Sequence, residues 1–142
     1  MHNIRHILDD KGHDIFSVGP DELVIDAVKR MAEKGVGAVL VMDGEEVKGM
    51  FSERDYARKV ILAGRASRET RVEEVMSSPV ITISPLCTAA EGLETMTRKR
   101  IRHLPVTDEG KLIGLVSIGD LVNAVIDDQR LLIEQLKAYV RG

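Results

Sequence analysis

The chain has 142 residues, of which 44% are hydrophobic and 30% charged, and its formal net charge is −3. This length suits one compact domain or two small units that share a core. The acidic balance argues against a nucleic-acid partner, because nucleic-acid-binding proteins usually present a basic face. No apolar run approaches the roughly 20 residues of a membrane span, and the N-terminus lacks the apolar stretch of a signal peptide. Cys87 is the single cysteine and excludes an internal disulfide, so we expect a cytoplasmic protein with no membrane partner.

Residues 1–14 form the first predicted segment. A short amphipathic helix is predicted over residues 2–11, because Ile4, Ile7 and Leu8 fall on one side of it. His2 and His6 have the i, i+4 spacing of metal ligands, but no third ligand accompanies them, so we predict no metal site.

An internal repeat begins at residue 15. A shift of 65 residues aligns the two halves without a gap and pairs Pro20 with Pro85, Met31 with Met96, Gly49 with Gly114, Ser52 with Ser117 and Asp55 with Asp120. Self-similarity at a fixed period indicates a duplicated structural unit. We therefore predict a first repeat over 15–64, a polar linker over 65–71, a second repeat over 72–126 and a helical extension over 127–142.

Each repeat has the pattern of a β-α-β-β-α unit. A strand at 15–18 or 80–83 precedes a helix, whose apolar residues recur at helical spacing from position 24 or 89. Two strands follow, separated by a turn that contains glycine. The first is buried and lies at 38–42 or 103–106, and the second lies at 47–51 or 112–116. A further helix begins at Ser52 or Ser117. The predicted fold class is mixed (α+β or α/β), with two small sheets and flanking helices.

The last helix is much longer than its counterpart in the first repeat. Its apolar stripe comprises Leu121, Val122, Val125, Ile126, Leu132, Ile133, Leu136 and Val140. The stripe either packs on its own core or forms a self-association surface. Its length favours a homodimer.

Each repeat also carries the motif G-h-h-S-x-x-D, at Gly49–Asp55 and Gly114–Asp120. Ser followed three residues later by an acid at a helix start is typical of a capping box, which is a purely structural arrangement. A ligand site is the alternative. Glycine inside a strand allows another group to approach the backbone closely, and a helix N-terminus favours phosphate. A carboxylate can accept hydrogen bonds from both hydroxyls of a ribose. Arg54, a cation in the first helical turn, makes sense there if it meets an anion.

A second basic segment runs from Arg98 to Val106. Arg102 and His103 lie at the mouth of a predicted strand, where they suit a phosphate. Pro105 lies within the strand run and indicates a strand edge or start.

The duplication, the two motifs, the segment 75–82 and the segment 101–106 together resemble a tandem pair of CBS (cystathionine-β-synthase) domains over about residues 15–126. The resemblance implies a disc-like pair of repeats in pseudo-two-fold symmetry. It also implies two clefts between the repeats that commonly bind AMP, ATP or related adenosine ligands.

The resemblance assigns the site residues. Asp55 and Asp120 would each hold a ribose in one cleft, with Ser52 or Ser117 near the sugar or phosphate. In the cleft of Asp55, Val80 and Thr82 would contact the adenine, and Arg102 and His103 would contact the phosphate. Pro105 is also predicted to be a ligand-binding residue. The cleft of Asp120 would be lined by Ile15, Ser17, Gly37 and Ala38, with Arg54 reaching across. Gly37 stands where the second repeat has Arg102, so the two clefts should differ in anion affinity.

The predicted function is that of a non-enzymatic sensor. It binds an adenosine nucleotide (AMP, ATP or ADP) and signals to an unknown effector protein through the angle between repeats or the dimer surface. Alternatives are NAD(H) or S-adenosylmethionine as ligand, or a dimeric adaptor that binds no ligand. The sequence has no P-loop and no triad, and Cys87 at a helix start is more simply a half-buried residue, so we predict no catalytic residue and no required cofactor.

Overall fold

The computed structural model describes residues 1–141 and divides them into two compact units, one formed by residues 15–80 and one by residues 1–14 together with 81–141. In chain order the elements are α1 (Ile4–Lys11), β1 (Ser17–Val18), α2 (Val24–Lys34), β2 (Ala38–Asp43), β3 (Glu46–Ser52), α3 (Glu53–Asp55, continued as a π-helix over Tyr56–Ile61), α4 (Val72–Val75), α5 (Ala89–Lys99), β4 (His103–Asp108), β5 (Lys111–Ser117) and α6 (Ile118–Arg141). This order agrees with the predicted mixed fold class.

The 15–80 unit is built on a three-stranded sheet in the order β1-β2-β3. β1 pairs with β2 in parallel, and β2 pairs with β3 in antiparallel, with Leu40 opposite Met50. The central strand β2 is buried on both faces over residues 38–41. The helical periodicity predicted for α2 places Val24, Ala27 and Met31 in the core, where they pack with Phe51 and Val60.

The second unit contains a two-stranded sheet, β4-β5, and the strand predicted at 80–83 is reduced to a single bridge between Ile83 and Val106. In the 15–80 unit the backbone N–H of Leu40 donates to the carbonyl of Phe16 at 3.0 Å and so joins β1 to β2. The equivalent position in the second repeat is Pro105, which has no N–H to donate. Ile83 still donates to the Pro105 carbonyl and accepts from Thr107, so one residue of the predicted strand remains paired.

A neighbouring segment of the chain packs closely against a glycine in each unit. A Cβ on Gly114 would lie 2.6 Å from Cδ2 of Leu8 on α1, and a Cβ on Gly49 would lie 2.8 Å from the carbonyl oxygen of Ser77, just after α4. The space beside both glycines is therefore filled by the chain itself. The interpretation of these glycines as openings for a ligand is wrong, because they make room for α1 and for the segment after α4.

We expect Gly49→Ala to destabilise the protein more than Gly114→Ala, by about 3 against about 1 kcal/mol. The Ser77 carbonyl is held by the N–H of Met50 at 3.0 Å and cannot move away without breaking that bond, whereas the Leu8 side chain can rotate. Urea unfolding of the two variants measures the difference. Equal losses would contradict this explanation.

The segment 65–71, predicted as a linker, contacts the start of α2. Thr70 is buried, its carbonyl accepts from the N–H of Val24 at 2.8 Å, and the Ser67 carbonyl accepts from Ile25. These bonds satisfy free N–H groups of α2, whose N-cap residue Leu23 offers no side-chain acceptor. The domain boundaries drawn from the sequence remain predictions.

The first half of α6 packs within its unit and the second half does not. Leu121 and Ala124 are buried against the core, and His2 holds Asp128 through a 2.6 Å contact between Nδ1 and Oδ1. Every residue from 129 to 141 is exposed. No helix among residues 1–141 is both long and apolar enough to cross a membrane.

Candidate functional site

Both Ser-x-x-Asp motifs form capping boxes at the starts of their helices. The N–H of Ser52 donates to Oδ2 of Asp55 at 3.0 Å, and the N–H of Asp55 donates to Oγ of Ser52 at 3.1 Å. Ser117 and Asp120 repeat this exchange at 2.8 and 3.2 Å. The structural interpretation of the motif is therefore confirmed, and any ligand role must come in addition to capping.

The Asp55 carboxylate has its acceptor capacity filled within the 15–80 unit. An ionised carboxylate offers about four lone-pair positions. Oδ2 accepts from both the N–H and the hydroxyl of Ser52, and Oδ1 accepts from the Ser77 hydroxyl at 2.8 Å and from Lys59 Nζ at 3.1 Å. With 8% of the residue exposed, Asp55 is a buried structural acceptor for four donors.

The Asp120 carboxylate is used differently. Its Oδ2 accepts from the N–H of Ser117 and from Lys11 Nζ, each at 2.8 Å, and Lys11 also donates to the carbonyl of Leu115. The hydrogen bonds from Lys11 and from the Ser117 N–H thus both end on Oδ2 and leave Oδ1 of Asp120 outside them. The side chain is 25% exposed, against 11% for Asp55. Asp120 thus keeps one oxygen, with about two lone-pair positions, open to a further donor.

The hydrogen bonds at this carboxylate favour its ionised form. Burial opposes ionisation, but the hydrogen bonds from Lys11 and from the Ser117 N–H outweigh it and hold the pKa of Asp120 below its ordinary value of 3.8. A lowered pKa means that the carboxylate stabilises the fold above about pH 4, and that this stabilisation is lost as the pH falls through the folded-state pKa.

We therefore expect Lys11→Met to be less stable than the wild type at neutral pH, with a difference that shrinks as the pH falls toward the pKa of Asp120. The ion pair between the Lys11 ammonium and the Asp120 carboxylate exists only while the carboxylate is ionised. Urea unfolding of both proteins between pH 7 and pH 3 measures the difference. A difference that stays constant over this range would show that the bond from Lys11 to the Leu115 carbonyl, and not the ion pair, provides the stabilisation.

Several predicted site residues lie beside the two motifs because they stand at the starts of β2 and β4, which pair with the strands that lead into α3 and α6. The N–H of Glu53 donates to the Gly37 carbonyl at 3.0 Å, and the N–H of Ile118 donates to the Arg102 carbonyl at 2.8 Å. Ala38 lies opposite Ser52, and His103 lies opposite Ser117. One unit thus brings together Gly37, Ala38, Ser52 and Asp55. The other unit brings together Arg102, His103, Ser117 and Asp120.

The other predicted residues are more scattered. Ser17 pairs with Leu40 in the 15–80 unit, Ile15 precedes β1, Val80 is half-buried at the end of that unit, and Arg54 is exposed on the first turn of α3. In the second unit Thr82 is exposed beside Ile83, and Pro105 is buried in β4. The grouping of residues from both repeats into two clefts remains a prediction.

Three residues at the motifs were missed by the sequence analysis. Lys59 lies four residues after Asp55 and could have been found from the helical i, i+4 spacing of opposite charges. Ser77 and Lys11 reach their carboxylates over 22 and 109 residues, so no local pattern indicates them.

The structure also offers an open apolar groove of about 420 Å³ between α2 and α3, lined by Val28, Met31, Ala32, Gly35, Val36, Glu53 and Tyr56. None of these residues was predicted as a ligand contact. No group of three metal-ligating side chains occurs among residues 1–141.

Comparison with known proteins identifies the family. The family model for the CBS domain matches residues 2–61 and 72–127, so the chain belongs to the CBS-domain proteins and carries two copies of the domain. The mitochondrial CBS domain-containing protein CBSX3 of Arabidopsis thaliana is 42% identical over 127 residues, which are 86% of this chain. The match covers 62% of that relative, so the chain spans about three fifths of its length.

Solved structures agree with this assignment. A protein with CBS domains from Burkholderia ambifaria MC40-6 superposes with a TM-score of 0.86 at 51% identity, covering 90% of this chain and 96% of that one. A CBS domain protein from Pyrobaculum aerophilum, solved as a complex with AMP, has a TM-score of 0.74 at 22% identity and covers 84% of this chain and 89% of its own. At that identity the second comparison shows the fold alone.

Proposed function

We propose that this protein is a regulatory sensor whose principal site binds the ribose of an adenosine nucleotide through Asp120. The open Oδ1 of Asp120 carries the proposal. A ribose diol has two hydroxyl donors, and an ionised carboxylate with about two unused lone-pair positions matches them. Asp55 is the weaker candidate, because a diol there would displace Ser77 or Lys59 from a buried oxygen.

The surroundings of Asp120 support the same use. The hydrogen bonds from Lys11 and Ser117 hold the pKa of Asp120 below its ordinary value, and a charged acceptor makes stronger hydrogen bonds than a neutral one. Arg102 and His103 are near Ser117 in the same unit and supply positive or titratable groups close to the motif. We therefore add them to the Asp120 site as groups for the phosphate. The base contacts expected from the sequence, Ile15, Ser17, Gly37 and Ala38, belong to the 15–80 unit and remain predictions.

AMP is the ligand we favour, since a protein of the same fold has been solved in complex with AMP. ATP and ADP share its ribose, as do NAD(H) and S-adenosylmethionine, so each of these ligands would use the same anchor. The remaining candidate, an adaptor without ligand, is favoured by the observation that both motifs already act as helix caps.

Regulation rather than catalysis follows from the chemistry at the motifs. The hydroxyls of Ser52 and Ser117 each accept a hydrogen bond from the N–H of an aspartate and so serve as helix caps. We propose that the bound nucleotide favours one arrangement of the repeats over another and that an effector protein responds to that arrangement. Such a shift requires different affinities of the nucleotide for the two arrangements.

The proposal is tested by isothermal titration of the purified, nucleotide-free protein with AMP, ADP and ATP. NADH and S-adenosylmethionine are further ligands, and adenine, which has no ribose, is the control. Micromolar binding of at least one adenosine ligand, and none of adenine, is the expected result. Absence of heat with all of them, from folded protein shown by mass spectrometry to hold no ligand, would favour the adaptor.

A further inference from the structure

A lysine ammonium lies beside the carboxylate of each Ser-x-x-Asp motif. Lys59 Nζ is 3.1 Å from Oδ1 of Asp55, and Lys11 Nζ is 2.8 Å from Oδ2 of Asp120. Lys59 follows its aspartate by four residues along the same helical segment, whereas Lys11 is the last residue of α1 and is separated from Asp120 by 109 residues. The two ion pairs are therefore alike in chemistry and different in origin.

The duplication of the chain explains neither lysine. The shift of 65 residues aligns Lys59 with Ala124, which is buried, and Lys11 with Met76. Neither lysine has a lysine at its equivalent position, and yet an ammonium reaches both motif carboxylates. An ion pair copied by the duplication would keep its position, so the recurrence of the contact from different positions indicates a requirement at the carboxylate itself.

Lys11 is held in place at both ends of its side chain. Its backbone belongs to α1, which Ile4 and Leu8 fix to the core of the unit because both side chains are fully buried. Its Nζ donates to Oδ2 of Asp120 and to the Leu115 carbonyl on β5, each at 2.8 Å. These bonds use two of the three donors of the ammonium. Lys11 thus bridges β5 and the first turn of α6.

The bridge also restrains the Asp120 carboxylate. Oδ2 accepts from Lys11 and from the N–H of Ser117, so rotation about the Cβ–Cγ bond of Asp120 would break both hydrogen bonds. A group that is held in its binding orientation before the ligand arrives loses less freedom on binding, and the affinity increases accordingly. Removal of the ammonium would leave the backbone N–H of Ser117 as the remaining one of these two restraints.

We propose that Lys11 is a positioning residue of the nucleotide site, which acts through Asp120 by holding the carboxylate in the orientation that receives the ribose hydroxyls. This inference rests on the proposed nucleotide site and extends it to α1, which precedes the first repeat. The N-terminal helix then belongs to the ligand site through one side chain. The space beside Gly114 that α1 fills serves to bring that side chain to the carboxylate.

Adenosine and AMP separate this role from a direct contact between Lys11 and the phosphate. Both ligands carry the ribose diol, and AMP alone carries a phosphate. Lys11→Met keeps an unbranched side chain without the ammonium, and should weaken the binding of both ligands by a similar factor of about 5 to 20. The affinities are measured by isothermal titration at a temperature where circular dichroism shows every variant to be folded. A loss confined to AMP would overturn the proposal.

A double variant tests whether Lys11 acts through the aspartate. If it does, Lys11→Met has little further effect on the affinity for adenosine in the Asp120→Asn background, because the charged group that Lys11 positions is gone. A lysine that only fixes α1 to the unit would weaken adenosine binding by the same factor in both backgrounds. That additive result would overturn the proposal.

Arg5→Met is the matched control on the same helix. Arg5 Nη2 contacts Oδ2 of Asp108 at 2.8 Å, at the end of the β4–β5 pair opposite to Ser117. The control removes an exposed ion pair between α1 and the unit without changing the Asp120 site, so its affinities should stay within about twofold of the wild type. A loss of affinity equal to that of Lys11→Met would show that any weakening of α1 has this effect, and would overturn the proposal.

Asp120→Asn separates a failure of this inference from a failure of the proposed function. If the wild type binds neither adenosine nor AMP, the proposed nucleotide site is wrong and the role of Lys11 is overturned as well. If the wild type binds both, Asp120→Asn binds them weakly and Lys11→Met binds them as the wild type does, the nucleotide site stands and only the role of Lys11 is overturned.

Discussion

Replacing Asp120 with Asn should lower the affinity for AMP by about 10- to 100-fold and lower the free energy of unfolding by no more than about 1 kcal/mol. Hydrogen bonds to a charged group contribute about 1.5–3 kcal/mol, and 1.4 kcal/mol corresponds to a tenfold change in affinity. The amide keeps one acceptor oxygen but loses the charge and one of the two oxygens. Isothermal titration with AMP measures the affinity, and far-UV circular dichroism during heating measures the fold.

The matched control is Asp55→Asn, at the equivalent position of the first repeat. Its affinity for AMP should remain within a few-fold of the wild type, provided that the titration is made at a temperature where the variant is folded. An Asp120→Asn protein that binds AMP as tightly as the wild type would contradict the assignment of the ribose to Asp120.

The second large effect concerns stability. Asp55→Ala should lower the free energy of unfolding by about 2–4 kcal/mol, whereas Asp120→Ala should lower it by about 1 kcal/mol. Asp55 is buried and serves four donors: the N–H and hydroxyl of Ser52, the hydroxyl of Ser77 and the ammonium of Lys59. Without the carboxylate, these groups lose their acceptor in a site that water reaches poorly.

Urea unfolding, followed by circular dichroism, measures both values. Ser77→Ala provides an internal check, because it removes one donor while it leaves the other three in place, and should cost about 1 kcal/mol. Equal losses for Asp55→Ala and Asp120→Ala would show that both carboxylates act as simple helix caps and that the filled acceptor positions of Asp55 carry no additional stability.

The duplicated pattern predicted most of the fold, because apolar periodicity and the helix caps are local properties of the sequence. The periodicity placed Val24, Ala27 and Met31 on the buried face of α2, and the Ser-x-x-Asp motifs marked the starts of α3 and α6. The strand at 80–83 was overpredicted because its pairing depends on position 105, where proline replaces the donor that Leu40 supplies in the first repeat.

The motifs were found from the sequence, but the difference between them was not. Asp55 and Asp120 occupy the same position in the same motif. Their hydrogen-bond partners differ because those partners come from other parts of the fold. Ser77 contacts Asp55 from the segment after α4, and Lys11 contacts Asp120 from α1. The packing of α1 against β5 brings Lys11 into place, and this tertiary contact leaves no signal within the motif itself.

The assignment of the ribose to Asp120 is tested most directly by a double cycle between protein and ligand. The affinities of the wild type and of Asp120→Asn are measured for AMP and for its analogue without the 2′ and 3′ hydroxyls. If the Asp120 carboxylate holds the diol, removal of the hydroxyls weakens binding to the wild type by about 10- to 100-fold and has little further effect on Asp120→Asn. Equal losses in both proteins would contradict a contact between Asp120 and the ribose.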